Sequence, residues 1–177
     1  MKLKLAYYGD AVLRKKTAPI PEITDEIRQL VKDMEETMHA SNGVGIAAPQ
    51  VHHSIALFIT CMPRYVSQDK VEPGILKVYI NPKILSYSEE LQEDHHGCLS
   101  IPKLESEGIY RPLRVTVEAT NLNGERFVEE CIGPDAIAIC HENDHLNGVL
   151  FIDRCSAKYK RLIEPKLREI KKKYSDR

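Results

Sequence analysis

This chain lacks a large net charge, a membrane-spanning segment and a signal peptide. Its 25 Lys and Arg residues nearly balance its 26 Asp and Glu residues, so the formal net charge of −1 gives the whole molecule no strong attraction to nucleic acid. No apolar run is long enough to span a membrane, and residues 1–4 lead into the domain without a signal peptide. The lack of a membrane span and of a signal peptide predicts a cytoplasmic protein of bacterial type, with an organelle left open if a presequence is missing.

The chain also lacks a disulfide framework, repeats, low-complexity tracts and linkers. Its five cysteines are an odd number without a recognisable framework, which is typical of a reducing compartment. A chain of 177 residues is large enough for one hydrophobic core. We therefore expect one domain over residues 1–177.

Positive charge is concentrated near the C-terminus. Residues 158–177 contain nine basic and three acidic side chains, a pattern that predicts a basic helix interrupted near Pro165. A solvated terminal helix is the simplest interpretation of this segment.

Apolar periodicity predicts an α+β fold. Residues 24–40 have a helical pattern, residues 55–59, 78–80, 115–119 and 127–128 have strand patterns, and residues 64–74 resemble a loop. We expect a single domain with antiparallel or mixed β-sheets around a buried metal-binding helix, plus N-terminal and C-terminal helices.

The predicted buried helix carries a His-Glu-x-x-His motif at residues 141–145. Residues four apart on a helix project from one face, so His141 and His145 can bind one metal ion together. Glu142 lies beside the first ligand, where a carboxylate can accept a proton from a water that the ion activates.

The residues around this motif favour a buried helix over a solvated one. A Gly-Pro pair at 133–134 fits a helix start, Gly148 fits a C-cap, and residues 136–140 are small and apolar. Two histidines buried on such a helix need a polar partner, which a metal ion supplies.

A catalytic site of this kind needs a third protein ligand. The extended protease motif would place a histidine at position 151, but Phe151 stands there, and no Met follows Met62 to form a Met-turn. Glu164 and Glu169 belong to the charged C-terminal stretch and fit a solvated face better. Cys98, in the loop-like segment HGCLS at 96–100, is a plausible thiolate ligand, although a lone Cys is more often a small buried hydrophobe.

A third segment, GVGIAAPQ at residues 43–50, allows a backbone to approach a ligand closely because its residues are small. No Lys-Ser/Thr pair follows it and no strand precedes it, which excludes a phosphate loop. Gln50 at its end is a neutral donor that could stabilise an oxyanion.

These three segments, in this order, resemble the motifs of peptide deformylase. That family carries Gly-x-Gly-x-Ala-Ala-x-Gln, Glu-Gly-Cys-Leu-Ser and Gln-His-Glu-x-Asp-His. The first motif is complete here, and the other two differ only at their first residues, His96 and Cys140. Shorter matches at residues 8–10, 12–15, 80–82, 111–112 and 148–153 extend the resemblance over nearly the whole chain.

The resemblance implies that Cys98, His141 and His145 bind one divalent metal ion. The family typically uses Fe²⁺, while Zn²⁺, Ni²⁺ or Co²⁺ can occupy the site. A set of two imidazoles and one thiolate suits several of these ions, so the sequence does not choose among them.

The implied reaction is removal of the N-formyl group from the initiator methionine of new polypeptides in a bacterial-type cytoplasm, with release of formate. Glu142 would move the proton, and the Gln50 side chain and the Leu99 backbone N–H would stabilise the oxyanion. The substrate backbone would pair with Val44 and Gly45 as an added strand.

Further expectations concern the surroundings of the site. Ile137 and Ala138 could line a pocket for the methionine side chain or belong to the core. Asp144 and Arg111 could form a pair that orients the metal-binding helix. In related deformylases the C-terminal helix can dock on the ribosome, and the charge of residues 158–177 would suit an RNA-rich surface. Neither a membrane nor sequence-specific nucleic acid is an expected partner.

The chain departs from the family pattern in four places. His96, Cys140 and His52 replace the usual Glu, Gln and Gly, and the segment 102–111 is one residue longer than expected and lacks an Arg often found near Glu105. These departures keep a second hypothesis open, namely a divergent homologue with altered or weak activity. A metalloprotease is a third hypothesis, and Phe151 argues against it.

Overall fold

The computed structural model describes residues 1–174, so the last three residues of the predicted basic helix, 175–177, lie outside the described part. The α-helices within it are α1 (Asp25–Ala40), α2 (Pro134–Leu146) and α3 (Ala157–Tyr174). Short 3₁₀ turns cover Ala11–Arg14, Ala48–Val51 and Phe151–Asp153. The strands are β1 (Gly45–Ala47), β2 (Leu57–Thr60), β3 (Arg64–Ser67), β4 (Lys70–Glu72), β5 (Lys77–Tyr87), β6 (Leu91–Asp94), β7 (Gly97–Cys98), β8 (Ile101–Glu105), β9 (Ile109–Pro112), β10 (Arg114–Thr120) and β11 (Arg126–Ile132).

The main sheet has five strands in the order β1-β2-β5-β10-β11, and every neighbouring pair in it is antiparallel. Three two-stranded antiparallel pairs, β3-β4, β6-β9 and β7-β8, lie outside it. A parallel bridge joins Ala18 to Ile55. The predicted α+β class is confirmed, with β1 at one edge of the main sheet.

Helix α1 has the amphipathic character that its sequence predicts. Thr24 caps it by accepting a hydrogen bond from the Ile27 backbone N–H at 3.4 Å. Its buried apolar face joins residues of β1, β2 and β5 in one core cluster; the face consists of Leu30, Val31, Met34 and Met38.

Helix α2 is buried because strands surround it. It contacts β1, β2, β10 and β11 of the main sheet and also β9. The helix begins at Pro134, directly after Gly133 with its positive φ of 64°, and it ends at a C-cap formed by Asn147. The predicted buried helix is therefore confirmed, with Gly148 one residue beyond the cap.

The prediction that residues 64–74 form a loop is wrong, since this stretch contains the hairpin of β3 and β4. None of its strand residues is buried, so no alternation of buried and exposed side chains marks it in the sequence. Strand β5 also extends well beyond the predicted residues 78–80, because its exposed second half pairs with β10.

The predicted interruption near Pro165 is also wrong, because α3 runs continuously through that residue. A proline inside a helix removes one backbone hydrogen bond. Buried side chains on both sides of it, Ile163 before and Leu167 and Ile170 after, join one core cluster. This packing holds the two halves of the helix in line. None of the described helices is both long and apolar enough to cross a membrane.

Gly148 allows the chain to turn closely against the N-terminal segment. Its φ is 72°, and a Cβ at this position would lie 2.6 Å from the Arg14 carbonyl oxygen. Gly108 has a similar φ of 67°, but among the described residues, its two chain neighbours aside, no atom lies within 4 Å of its Cβ position. An alanine at either position would therefore have the same backbone strain, but only an alanine at position 148 would also clash with a neighbouring atom.

We expect Gly108→Ala to reduce the free energy of unfolding by about 1–2 kcal/mol, the cost of the left-handed conformation. Gly148→Ala should cost about 1–3 kcal/mol more, because the Arg14 backbone must move. Urea unfolding of both variants, with the same metal content as the parent protein, measures the difference. Equal losses would show that the clash is relieved without cost.

Candidate active site

Helix α2 presents His141 and His145 one turn apart on its buried surface. Their ring centroids are 5.0 Å apart. Burial lowers the pKa of His141 to about 4 and that of His145 well below its ordinary value. Both imidazoles are therefore neutral at physiological pH, which is the form that binds a metal ion.

Cys98 approaches this pair from the end of β7. Its Sγ lies 3.3 Å from His145 Nε2, and one ligand atom from each of Cys98, His141 and His145 lies within 4.8 Å of the others. The β7-β8 pair has a register shift between Gly97 and Cys98, directly before the thiol. The structure thus brings together the predicted ligands from elements more than 40 residues apart.

The chemistry of this cluster fits one divalent transition-metal ion. Burial raises the pKa of the Cys98 thiol to about 12, which the Ser100 backbone N–H partly offsets. His145 Nδ1 and Glu142 Oε2 are buried and have no protein hydrogen-bond partner among the described residues. A thiol and two imidazoles that converge at such a site are a borderline-soft donor set suited to iron, zinc, nickel or cobalt.

Glu142 lies beside the cluster, under the first residue of β1. A Cβ on Gly45 would lie only 2.6 Å from Glu142 Oε1, so the carboxylate occupies the space that a larger side chain would fill. Burial, with a smaller contribution from Asp144, raises the pKa of Glu142 to about 8. A carboxyl group with this pKa is suited to both accepting and donating a proton near neutral pH.

Gln50 is held in one orientation by hydrogen bonds at both ends of its amide. Its Oε1 accepts from the Ala47 backbone N–H at 2.9 Å, and its Nε2 donates to Ser100 Oγ at 3.2 Å. The same Nε2 lies 3.6 Å from Cys98 Sγ. The donor end of the amide therefore faces the cluster.

A cavity of about 1150 Å³ opens beside these groups. Strand β1, the β7-β8 pair, α2 and α3 contribute to its walls, and Leu99, Ile137 and Ala138 are among its apolar residues. The predicted pocket residues thus line the cavity, although Ile137 is only 4% exposed and also belongs to the buried interior.

The edge of the main sheet borders the same cavity. The Val44 carbonyl accepts from the Cys61 N–H at 2.7 Å, which directs Val44 toward β2. In an antiparallel ladder successive residues face opposite sides, so the Gly45 N–H and C=O face the open edge. Both residues line the cavity.

The expected Arg111–Asp144 pair is present, and it is part of a longer row of ion pairs that was not predicted. Arg111 Nη1 donates to Asp144 Oδ2 at 2.7 Å, and Arg111 Nε donates to Asp94 Oδ2 at 3.2 Å. Arg154 adds two hydrogen bonds to Asp144, at 2.6 and 2.7 Å. Asp94 lies only two residues before the departure at His96, and this was the one available signal.

The departures have identifiable surroundings. His52 has a φ of 66°, a left-handed conformation that explains why the family commonly has Gly there. The half-exposed His96 ring has its Nδ1 3.1 Å from Asp94 Oδ1. Cys140 is buried, which raises its pKa to about 11. The Glu105 carbonyl accepts from the Tyr159 hydroxyl at 2.6 Å, which ties the longer segment to α3.

An α+β fold with a buried Cys-His-His cluster, an adjacent Glu and an open strand edge is the arrangement expected of a metal-dependent hydrolase. The family model described as Polypeptide deformylase matches residues 2–161. The chain belongs to the peptide deformylase family, as its motifs suggested. Membership makes it a metal-dependent hydrolase of protein biosynthesis that removes the N-formyl group from nascent peptides.

Individual relatives are similar in sequence to this chain over nearly its whole length. A curated peptide deformylase from Acinetobacter baumannii (strain SDF) is 42% identical over 168 residues, or 95% of this chain and 91% of the relative. The peptide deformylase from Fusobacterium nucleatum subsp. nucleatum is 41% identical over 178 residues, or 97% and 94%.

Solved structures show the same fold. The crystal structure of peptide deformylase from Thermus thermophilus has a TM-score of 0.87 and 35% identity, and covers 98% of this chain and 99% of that chain. A Met-Ala-Ser-bound class I type b peptide deformylase from Acinetobacter baumannii has a TM-score of 0.80 and 35% identity, with coverage of 87% and 98%.

Because the pKa of Cys98 is about 12 and that of Glu142 about 8, both groups carry a proton at pH 7 before an ion binds. We expect Zn²⁺ binding at pH 7 to release about two protons, one from each group, while the neutral histidines release none. Glu142→Gln should reduce the release to about one. Calorimetric titration in buffers of different ionisation enthalpy counts these protons. Equal release from both proteins would show that Glu142 is already ionised.

Proposed function

We propose that this protein hydrolyses the formamide of N-formylmethionyl peptides, with Cys98, His141 and His145 as the metal ligands and Glu142 as the proton carrier. The single observation that carries this assignment is the position of Glu142. Its carboxylate is close enough to Cys98 to raise the pKa of that thiol, and it lies directly under the sheet edge at Gly45. A peptide paired with that edge would present its N-terminal group to both.

Fe²⁺ is the ion that we propose for the site, with Zn²⁺, Ni²⁺ or Co²⁺ as ions that the same ligands accept. One thiolate and two neutral imidazoles suit each of them. The bound ion would supply Lewis acidity, which polarises the formyl oxygen and lowers the pKa of a water.

Glu142 would accept a proton from the water that attacks the formyl carbon. It would then donate this proton to the leaving nitrogen as the carbon–nitrogen bond breaks, so that the products are formate and a free amino terminus. The Gln50 Nε2 and the Leu99 backbone N–H would donate hydrogen bonds to the oxyanion. Because hydrogen bonds hold both ends of the Gln50 amide, little reorganisation is needed during the reaction.

The substrate would add to the main sheet as a short strand beside β1. Gly45 would supply the principal backbone hydrogen bonds, since its polar groups face the open edge, and Val44 would contact the chain beside it. Leu99, Ile137 and Ala138 would surround the methionine side chain. Met-Ala-Ser bound to the Acinetobacter baumannii relative supports a tripeptide of this kind as the ligand.

The competing hypotheses differ in what they require of the site. A metalloprotease with the extended motif needs a histidine where Phe151 packs, 6.5 Å from the His141 ring. Of the alternative ligands, Glu164 is exposed and pairs with Arg168 at 2.5 Å, and Glu169 is exposed as well. A divergent homologue remains supported by His96, Cys140 and His52, and its activity on the usual substrate distinguishes it.

We expect Glu142→Ala to lower formate release from formyl-Met-Ala-Ser by about 10²–10⁴-fold, because no other group among the described residues is placed to move the proton. The variant should retain its metal ion, since the three ligands are unchanged. Formate release and metal content are measured on protein purified anaerobically with iron or nickel.

Glu169→Ala, an exposed change on α3, is the matched control and should leave formate release unchanged. Near-normal activity of Glu142→Ala would exclude it as the proton carrier. If the parent protein contains the ion but releases no formate, the divergent-homologue hypothesis replaces the proposal.

We also propose that the protein acts in the cytoplasm and docks on the ribosome through the exposed basic face of α3. Lys158, Arg161 and Lys172 are exposed on this helix, while Ile163, Leu167 and Ile170 anchor it in the core. Truncation before residue 158 would remove core residues along with the charge. Surface substitutions are therefore the better test.

Replacing Lys158, Arg161 and Lys172 together by Gln should abolish most ribosome co-sedimentation at low salt, because each lost phosphate contact weakens binding and lowers its salt dependence. A control variant with Gln at the exposed Lys16, Lys32 and Lys83 removes the same charge elsewhere and should bind like the parent. Equal binding of both variants would contradict docking through α3.

A further inference from the structure

A buried row of charged side chains joins the two parts of the fold that carry the proposed metal ligands. Asp94 is fully buried and ends strand β6, four residues before Cys98, while Asp144 precedes the ligand His145 on α2. Arg111, 3% exposed, lies between them and bonds both carboxylates, to Asp94 at 3.2 Å and to Asp144 at 2.7 Å. The row therefore spans from the thiolate strand to the histidine helix.

Asp94 also fixes the backbone that leads to Cys98. Its Oδ1 accepts from the His96 backbone N–H at 2.9 Å and lies 3.1 Å from His96 Nδ1, while its Oδ2 accepts from Arg111. On the other side of this turn, the His96 carbonyl accepts from Ser106 Oγ at 2.6 Å. One buried carboxylate thus sets the turn before the thiolate and the position of the arginine.

We propose that Asp94 is a positioning residue of the metal centre, and that it supplies in this chain the carboxylate for Arg111 that a Glu at position 96 could otherwise provide. This inference rests on the proposed metal centre. The motif resembled by residues 96–100 has Glu where this chain has His96, so the chain has no acidic group at that point.

The geometry explains why a carboxylate at either position could serve. The His96 ring nitrogen contacts the same carboxylate that holds Arg111, so a side chain of similar reach at position 96 comes close to the guanidinium. Arg111 Nη2 is buried and has no hydrogen-bond partner among the described residues. A carboxylate from position 96 would find this donor available.

Loss of the carboxylate at 94 would leave the buried Arg111 with Asp144 as its one ionic partner among the described residues. An unbalanced buried charge is unfavourable, so the guanidinium would move or admit water. Because Arg111 also holds Asp144, this displacement would reach the helix turn that carries His145. Groups that hold metal ligands in this way typically change metal affinity by about 10–100-fold when they are replaced.

The test uses Asp94→Asn, the double variant Asp94→Asn/His96→Glu, and the control Glu93→Gln, an exposed change one residue away. Each protein is loaded with Co²⁺, and its visible spectrum and the rate of Co²⁺ loss to a chelator are recorded. We expect Asp94→Asn to lose Co²⁺ about 10–100-fold faster, with altered ligand-field bands. The double variant should regain most of this loss and approach the parent rate, and Glu93→Gln should match the parent.

An unchanged rate and spectrum in Asp94→Asn would overturn the inference, as would a double variant no better than the single one. If Asp94→Asn does not fold, the double variant decides: it must fold and bind Co²⁺ like the parent, or the inference is wrong. Failure of the parent itself to bind Co²⁺ would instead refute the proposed metal centre. The two failures are therefore distinguishable.

Discussion

The rest of this structure depends on one constraint, the burial of polar side chains whose partners the protein alone does not supply. Glu142 and His145 each keep a buried atom without a hydrogen-bond partner in the described part of the chain, although burying such groups is unfavourable. The contacts of α2 with the main sheet and with β9 keep these side chains buried despite this unfavourable free energy. The same burial raises the pKa of the Cys98 thiol and lowers the pKa values of His141 and His145. The thiol therefore stays protonated and the imidazoles stay neutral until an ion binds.

A row of ion pairs next to the Cys-His-His cluster supports this site electrostatically. Burial alone would raise the pKa of Asp94, yet hydrogen bonds from His96 and the charge of Arg111 hold it below its ordinary value. The carboxylate is therefore ionised where it meets the arginine. Arg154, whose side chain is 46% exposed, completes the arrangement by pairing with the buried Asp144. Each of these buried charges would be unfavourable if it were unpaired. Paired with one another, they form a rigid connection between β6 and α2.

Local patterns predicted the parts of the molecule that local physics determines. The spacing of His141 and His145, the apolar run before them and the Gly-Pro pair at 133–134 were sufficient for the buried helix and half of its site. Assigning Cys98 needed the family resemblance, since nothing in the spacing of a lone thiol tells which distant helix it meets. The burial of Asp94 against Arg111 could not be predicted, because a carboxylate in a polar stretch is usually exposed.

The failures in the fold have the same origin. Pro165 disfavours a helix locally, but tertiary packing on both sides of it outweighs that preference. The β3-β4 hairpin buries no strand residue, so it leaves no pattern to find. The α+β class was predictable, whereas the extent of β5 depended on pairing with β10, a strand much later in the chain.

The position of the open sheet edge affects when a substrate chain can bind there. Strand β1 is only three residues long and lies beside a cavity rather than on a flat surface. A short, recessed edge is protected against pairing with other sheets. It admits an extended chain end but not one already folded into a helix or a compact domain. Under the proposed function, the reaction would therefore compete with folding of the substrate's first residues, and the favourable moment would be soon after they emerge during synthesis.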